Sequence, residues 1–203
     1  AETDEDLIEK FLEEGELGEE DIKLGLQKAI VDGEVTPVCV SSGTLNKGTT
    51  PILDAINSYM PAPSDVTPRS GINPNNDEAI ECTPDSEASF AGFVFKTMAD
   101  PYAGRLTIFR VFSGTLSGES FYNANKKTNE RFGNLFLIEG KEQRQVDSAG
   151  PGMIVAVAKL KETTTGDTLC RSDAPIVLEA PDPLSPVITY AVSAKKGDEE
   201  KLF

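Results

Sequence analysis

The spacing of apolar residues changes period partway along this chain, and that change constrains the fold more than any other feature. Up to residue 60 the apolar positions recur at helical spacing. They are Leu7, Ile8, Phe11 and Leu12, then Ile22, Leu26, Ala29 and Ile30, then Ile52, Leu53, Ile56, Tyr59 and Met60. From Phe90 the period falls to two. Phe90-Ala91-Gly92-Phe93-Val94-Phe95-Lys96 reads as one strand, and Arg105-Leu106-Thr107-Ile108-Phe109-Arg110-Val111-Phe112 alternates cleanly as a second. Two periods in separate blocks predict a two-part α+β chain, with an α/β-type piece followed by an all-β one.

Local signals sharpen each part. Thr3 is expected to cap the first helix, with Asp6 completing a capping-box-like start and Gly15 near its end. A second helix starts near Gly18, and Glu19, Glu20 and Asp21 fill its first turn, where unpaired backbone N–H groups favour negative charge. Residues 35–40, rich in valine, read as a short buried strand. Thr50 is expected to cap a third helix, with Pro51 at its first position. Because a lone strand cannot bury two faces, residues 1–62 read as the edge of an α/β sheet. Pro61, Pro63 and Pro68 then stop the helix, and the polar stretch 63–88 reads as a linker. Residues 120–123, 134–139, 153–158 and 176–178 are further strand candidates between glycine-rich turns. Over 89–180 they predict a closed antiparallel β-barrel. Residues 181–203 read as a connection with a strand candidate at 186–193, and 195–203 read as the start of a further element.

Charge divides the chain along the same line. The net charge is −15, but residues 1–34 hold 13 acids and 3 bases, whereas residues 89–178 hold 9 acids and 11 bases. The mean charge opposes loose nucleic-acid binding, but the near-neutral barrel block does not share that opposition. Lys126, Lys127, Arg131, Lys141 and Arg144 crowd one stretch of it, and two readings stay open: a solvated barrel face, or a patch facing phosphates. Histidine is absent, which removes histidine-based triads, metal sites and acid–base catalysis. The three cysteines are scattered with no CxxC, against a zinc site or a disulfide scaffold. No apolar run reaches the roughly 18 residues of a membrane span, and the acidic N-terminus is unlike a signal peptide. A reducing cytoplasm is the expected location.

Two motifs invite chemistry. Gly43-Thr44-Leu45-Asn46-Lys47-Gly48-Thr49-Thr50 approaches a phosphate-binding loop, but Thr49 stands where the pattern needs lysine, so an ordinary loop and helix cap is the better reading. Thr163-Thr164-Thr165-Gly166-Asp167-Thr168-Leu169 reads as a turn that supplies its own hydrogen bonds. A hydrolase site there lacks a base. Cys170 reads as a small buried hydrophobe. The carboxylates of residues 1–21 read as a solvated helix face.

Longer matches carry a resemblance. Asp100-Pro101-Tyr102-Ala103-Gly104-Arg105-Leu106 within residues 95–116, Tyr122-Asn123, Glu130-Arg131-Phe132-Gly133 and residues 161–170 resemble domain II of bacterial translation elongation factor G. Pro37-Val38 through Asn46-Lys47-Gly48, residues 51–55 and residues 59–63 are similar to the last strand, fifth guanine motif and final helix of that family's GTPase domain. Residues 186–196 resemble the entry into domain III. The stretch 136–144 lacks the family's usual Met-His-Ala-Asn and looks more like the elongation factor G-like paralogues.

The resemblance implies a piece of a translational GTPase: the C-terminal edge of a P-loop GTPase domain, then a translation-factor β-barrel. The P-loop, both switches and the NKxD motif are missing, so the piece itself is expected to be catalytically inactive. It implies GTP or GDP with magnesium in the intact protein, and none in the fragment. A backbone N–H at Ser42 or Gly43 would meet the guanine base. Implied partners are the ribosome through small-subunit ribosomal RNA, the rest of its own GTPase domain and domain III, with no membrane and no DNA. Lys126, Lys127, Arg131, Lys141 and Arg144 would be the RNA-facing residues. Two other readings stay open: a ribosome-protection or release-factor relative, and a non-enzymatic β-barrel interaction module.

Overall fold

The computed structural model describes residues 4–100, 104–182 and 185–194, which divide into two compact units, 1–66 and 67–203. The first unit holds α1 (Glu5–Glu14), α2 (Glu19–Val31) and α3 (Thr49–Tyr59). Asp4 caps α1, its Oδ1 accepting from the N–H of Asp6 at 3.0 Å and of Leu7 at 3.3 Å. The cap expected at Thr3 therefore moves to Asp4, whose carboxylate also answers the helix dipole. Gly15, left-handed at φ 77°, ends the helix as expected. The Gly18 N–H donates to Asp21 Oδ2 at 3.1 Å at the start of α2. Lys10–Asp21 at 2.7 Å and Lys28–Asp4 at 2.8 Å tie the two helices together, and Leu7 packs against Gly25.

Three expectations for this unit are corrected. Helix α3 starts at Thr49 after Gly48, so the cap falls ahead of the expected Thr50. None of its residues is buried, so Leu53, Ile56 and Met60 lie exposed instead of forming a buried stripe. Residues 35–40 form no strand, and Val38 and Val40 are 88% and 92% exposed. A strand exists by pairing, and no described segment offers this stretch an edge.

The second unit is sheet. Its strands are β1 (Arg69–Ile72), β2 (Ala79–Cys82), β3 (Ala91–Asp100), β4 (Gly104–Ser113), β5 (Leu116–Ser117), β6 (Ser120–Asn123), β7 (Thr128–Arg131), β8 (Leu135–Glu139), β9 (Glu142–Val146), β10 (Ser148–Ala149), β11 (Ile154–Ala158), β12 (Thr168–Cys170) and β13 (Val177–Leu178). Eight of them form one antiparallel sheet in the order β7-β6-β12-β3-β4-β11-β8-β9, and β5 pairs with β10. The sheet curls about a single interior. Phe121 of β6 and Phe132 after β7, stacked at 5.4 Å, share a cluster with Val155 and Val157 of β11 and Leu135 of β8, from the far side of the strand order. This is the expected antiparallel β-barrel-like fold. Alternation places Val94, Phe109 and Val111 inside and sends Phe93, Arg110 and Phe112 outward, across the bulge between Val94 and Lys96.

The stretch expected as a linker contributes a second layer. Strands β1 and β2 pair with each other, and β1 pairs with β13, giving the order β13-β1-β2. Cys82, Ile176 and Leu178 of this layer pack on the outward-facing Phe93, Ala91 and Cys170. Arg69 lies over the rings of Phe93 at 5.3 Å and Phe112 at 5.1 Å, and donates to the Glu179 carbonyl at 2.7 Å. Gly114 permits the close approach of the chain leading into β3. Its φ is 64°, its N–H donates to the Asp85 carbonyl at 2.8 Å, and a Cβ there would stand 2.5 Å from the Ala88 carbonyl oxygen.

The strand candidate at 186–193 also fails. Residues 185–194 hold no strand, and Val187, Ile188 and Tyr190 are exposed. The element expected over 195–203 lies outside the described residues. Removing Leu178, whose side chain sits between layer and barrel, tests the packing: Leu178→Ala is expected to cost about 2–5 kcal/mol in urea unfolding. A cost of a few tenths would show the layer to be loosely attached.

Candidate functional site

The first candidate is the loop between residue 40 and α3. Ser42 and Lys47 pair across it, the Ser42 N–H donating to the Lys47 carbonyl at 2.9 Å and the Lys47 N–H returning to the Ser42 carbonyl at 3.1 Å. Thr49 Oγ1 donates to Asn46 Oδ1 at 3.0 Å, and Asn46 itself has φ 49°. Gly48 closes the loop at φ 73°, where a Cβ would meet the Val40 carbonyl oxygen at 2.7 Å. The two residues singled out from sequence thus differ. The Ser42 N–H is engaged within the loop, whereas the exposed Gly43 N–H has no hydrogen-bond partner among the described residues.

The second candidate is the basic set on the barrel, which the structure divides. Lys126 and Lys127 lie in the turn between β6 and β7, and Arg131 ends β7, at one end of the strand order. Lys141 and Arg144 lie on the β8–β9 hairpin at the other end. Arg144 is also paired with Glu139 at 3.1 Å, which weakens its pull on an anion. All five side chains are exposed.

Beside β6 lies a cleft of about 410 Å³ that sequence reasoning missed. Ser117, Ser120, Tyr122, Asn129, Arg171 and Ser172 line it over an apolar floor of Phe90, Leu116 and Phe121. These residues come from four separate places in the chain, so no local pattern announces them. Arg171 is held by Asp173 through two bonds of 3.0 and 2.9 Å, and this partner keeps the Asp173 carboxyl below its ordinary range.

The threonine-rich turn proves structural. Asp167 Oδ2 accepts from the Thr164 N–H at 2.8 Å, the self-bonding turn expected, and from Asn123 Nδ2 at 3.0 Å. Glu130, on the interior face of β7, accepts from the N–H groups of Lys161 at 2.7 Å, Glu162 at 3.0 Å and Thr163 at 3.0 Å, and from the Thr163 hydroxyl. Thr163 and Asn123 are fully buried, so this hydroxyl faces no substrate. Cys170 is buried as expected, and burial pushes its thiol and that of Cys82 up, away from the reactive thiolate. Among the described residues no group of His, Cys, Asp and Glu is placed to hold a metal ion, and no helix is long and apolar enough to cross a membrane.

Burial alone would raise the Glu130 pKa, but the Thr163 hydroxyl and the three backbone donors outweigh it and hold the carboxyl below its ordinary 4.5. A depressed carboxylate stabilises the fold above the unfolded value and loses that contribution as pH falls through the folded one. Glu130→Gln is therefore expected to cost about 1.5–3 kcal/mol at neutral pH. In urea unfolding the gap from the unaltered protein should narrow well below pH 4.5. A gap independent of pH would mean that shape, not charge, holds the turn.

Comparison with known proteins supports the barrel. Residues 89–172 match the family described as elongation factor G domain 2. A crystal structure of a protein from Thermus thermophilus is similar with a TM-score of 0.68 and 27% sequence identity, over 90% of this chain and 25% of that one. The chain thus spans a quarter of the length of that similar protein.

Proposed function

We propose that this chain is part of a translational GTPase of the elongation factor G type and that its barrel couples the nucleotide state to the ribosome. The match of residues 89–172 to elongation factor G domain 2 carries the reading. The similarity to the Thermus thermophilus structure, which extends over 90% of this chain, supports it beyond the barrel. Whether the intact protein translocates or belongs with the paralogues is decided by its activity, and the departure at 136–144 favours a paralogue. It acts in the cytoplasm, where ribosomes work.

The loop at 42–48 suits the guanine edge of GTP or GDP. Gly43 presents a free N–H to an acceptor such as a purine carbonyl oxygen, and the Ser42–Lys47 pair holds the loop that carries it. Thr49 stands where a phosphate-binding loop needs lysine, so on this reading the loop supplies base recognition only. The barrel acts as a rigid body: its polar turn and its outer layer fix the sheet, so rearrangement at the nucleotide can move it as a unit.

The decisive experiment is GTP hydrolysis by the intact protein with and without ribosomes, where stimulation is expected and its absence would overturn the reading. A paired substitution tests the loop. Gly43→Ala keeps the N–H and should leave the affinity of the intact protein for a fluorescent GDP analogue nearly unchanged. Gly43→Pro removes the donor and should weaken binding about tenfold, the worth of one hydrogen bond.

A further inference from the structure

We propose that the free edge of β2 is a strand-addition site for an extended, basic segment of a partner protein. Strand β2 ends the order β13-β1-β2, so one side of it has no strand to pair with among the described residues. The Asn73 N–H donates to the Glu78 carbonyl at 2.8 Å, and the register then sets Ile72 opposite Ala79, Gly71 opposite Ile80 and Ser70 opposite Glu81. An antiparallel ladder bonds every second pair. The backbone groups of Ile80 and Cys82 therefore turn toward β1, and those of Ala79 and Glu81 turn away from it. Neither the Ala79 nor the Glu81 N–H has a hydrogen-bond partner among the described residues, and both residues are exposed. An incoming extended chain completes a row of this kind by adding a strand.

Two features choose the occupant, and the first is charge. Residues 77–87 hold Asp77, Glu78, Glu81, Asp85 and Glu87 and no lysine or arginine. All five acids are exposed, and none has a lysine or arginine within 4.0 Å among the described residues. This rim attracts a basic chain and repels a second copy of this one, whose net charge is −15. The second feature is a cavity of about 170 Å³ beside β2, with apolar walls from Ile80, Cys82, Ala91 and Ile176. It lies below the size range of small-molecule pockets and suits a single apolar side chain. Alternation turns Ile80 and Cys82 toward the barrel and leaves Ala79 and Glu81 on the outer face. An added strand that alternates in the same way meets both features at once. Its apolar side chains face the cavity, and its lysines or arginines stand beside Glu81. Strand β9, another free edge, carries Glu142 and Arg144 together and has no such preference. The site lies wholly within the second unit and goes beyond the nucleotide reading, because it uses neither the 42–48 loop nor the basic set.

The test uses the 203-residue chain and a short fluorescent peptide that alternates lysine with valine. Fluorescence polarisation should show binding that weakens with salt, and little binding of the same peptide with glutamate in place of lysine. Amide exchange followed by NMR should slow at Ala79 and Glu81 when the peptide binds. Glu81→Lys, at an exposed position, should weaken binding about fivefold. Ala79→Pro removes a donor that faces away from β1 and should weaken binding about tenfold. A lysine–valine peptide N-methylated at every amide keeps its charge but donates no backbone hydrogen bond, and it should not bind. That control leaves this chain unaltered, so it decides the matter even if the proline variant fails to fold. No binding of the lysine–valine peptide, or binding that N-methylation leaves unchanged, overturns the proposal. Protection of β9 amides instead of those of β2 overturns the assignment to this edge. A concentration-dependent dimer in sedimentation, lost in Ala79→Pro, overturns the partner in favour of a second copy.

Discussion

One buried carboxylate ties together strands that no ladder joins. Glu130 sits on β7, at one end of the strand order, yet its oxygens are met by three successive backbone N–H groups just after β11, five strands away in that order. A sheet of this kind has no ladder joining its two ends among the described residues. The carboxylate instead ties β7 to the connection between β11 and β12, and it satisfies the buried N–H of Thr163. Asn123 and Asp167 extend the same network, linking β6 to the turn before β12. The interior is therefore polar at this end and apolar in its middle, where Phe109, Phe121 and Phe132 pack.

What faces outward follows from that closure. With Glu130 and Phe121 committed to the interior, strict alternation turns Ser120, Tyr122, Asn129 and Arg131 to the surface. Another part of the outward face is covered. The β13-β1-β2 layer lies over Phe93 and Cys170, and Arg69 lies over two of the outward rings. The cleft beside β6 lies on an uncovered part of it.

The helical unit obeys a different limit. Its helices are joined by ion pairs and by Leu7 against Gly25, but α3 and residues 35–40 leave large apolar side chains exposed. Helical period was legible there because it is a property of consecutive residues. The strand was not, because pairing needs a second segment that local sequence does not contain. The same reason hid β1 and β2: polar residues such as Asn73 to Asp77 in their turn read as a loop, and only β13, about a hundred residues later, makes β1 a central strand.

Sequence alone determined the switch from helical to alternating period, the strands with strong alternation, the end of α1 at Gly15, the burial of Cys170 and the hydrogen-bonded threonine turn. Each of these depends on residues close together in the chain. Tertiary structure alone decided which of Ser42 and Gly43 keeps a free N–H, which basic residues share a surface, and where unpartnered hydroxyls gather. Those properties belong to groups that are far apart in sequence and are brought together only when the sheet curls, with Glu130 fastening its end.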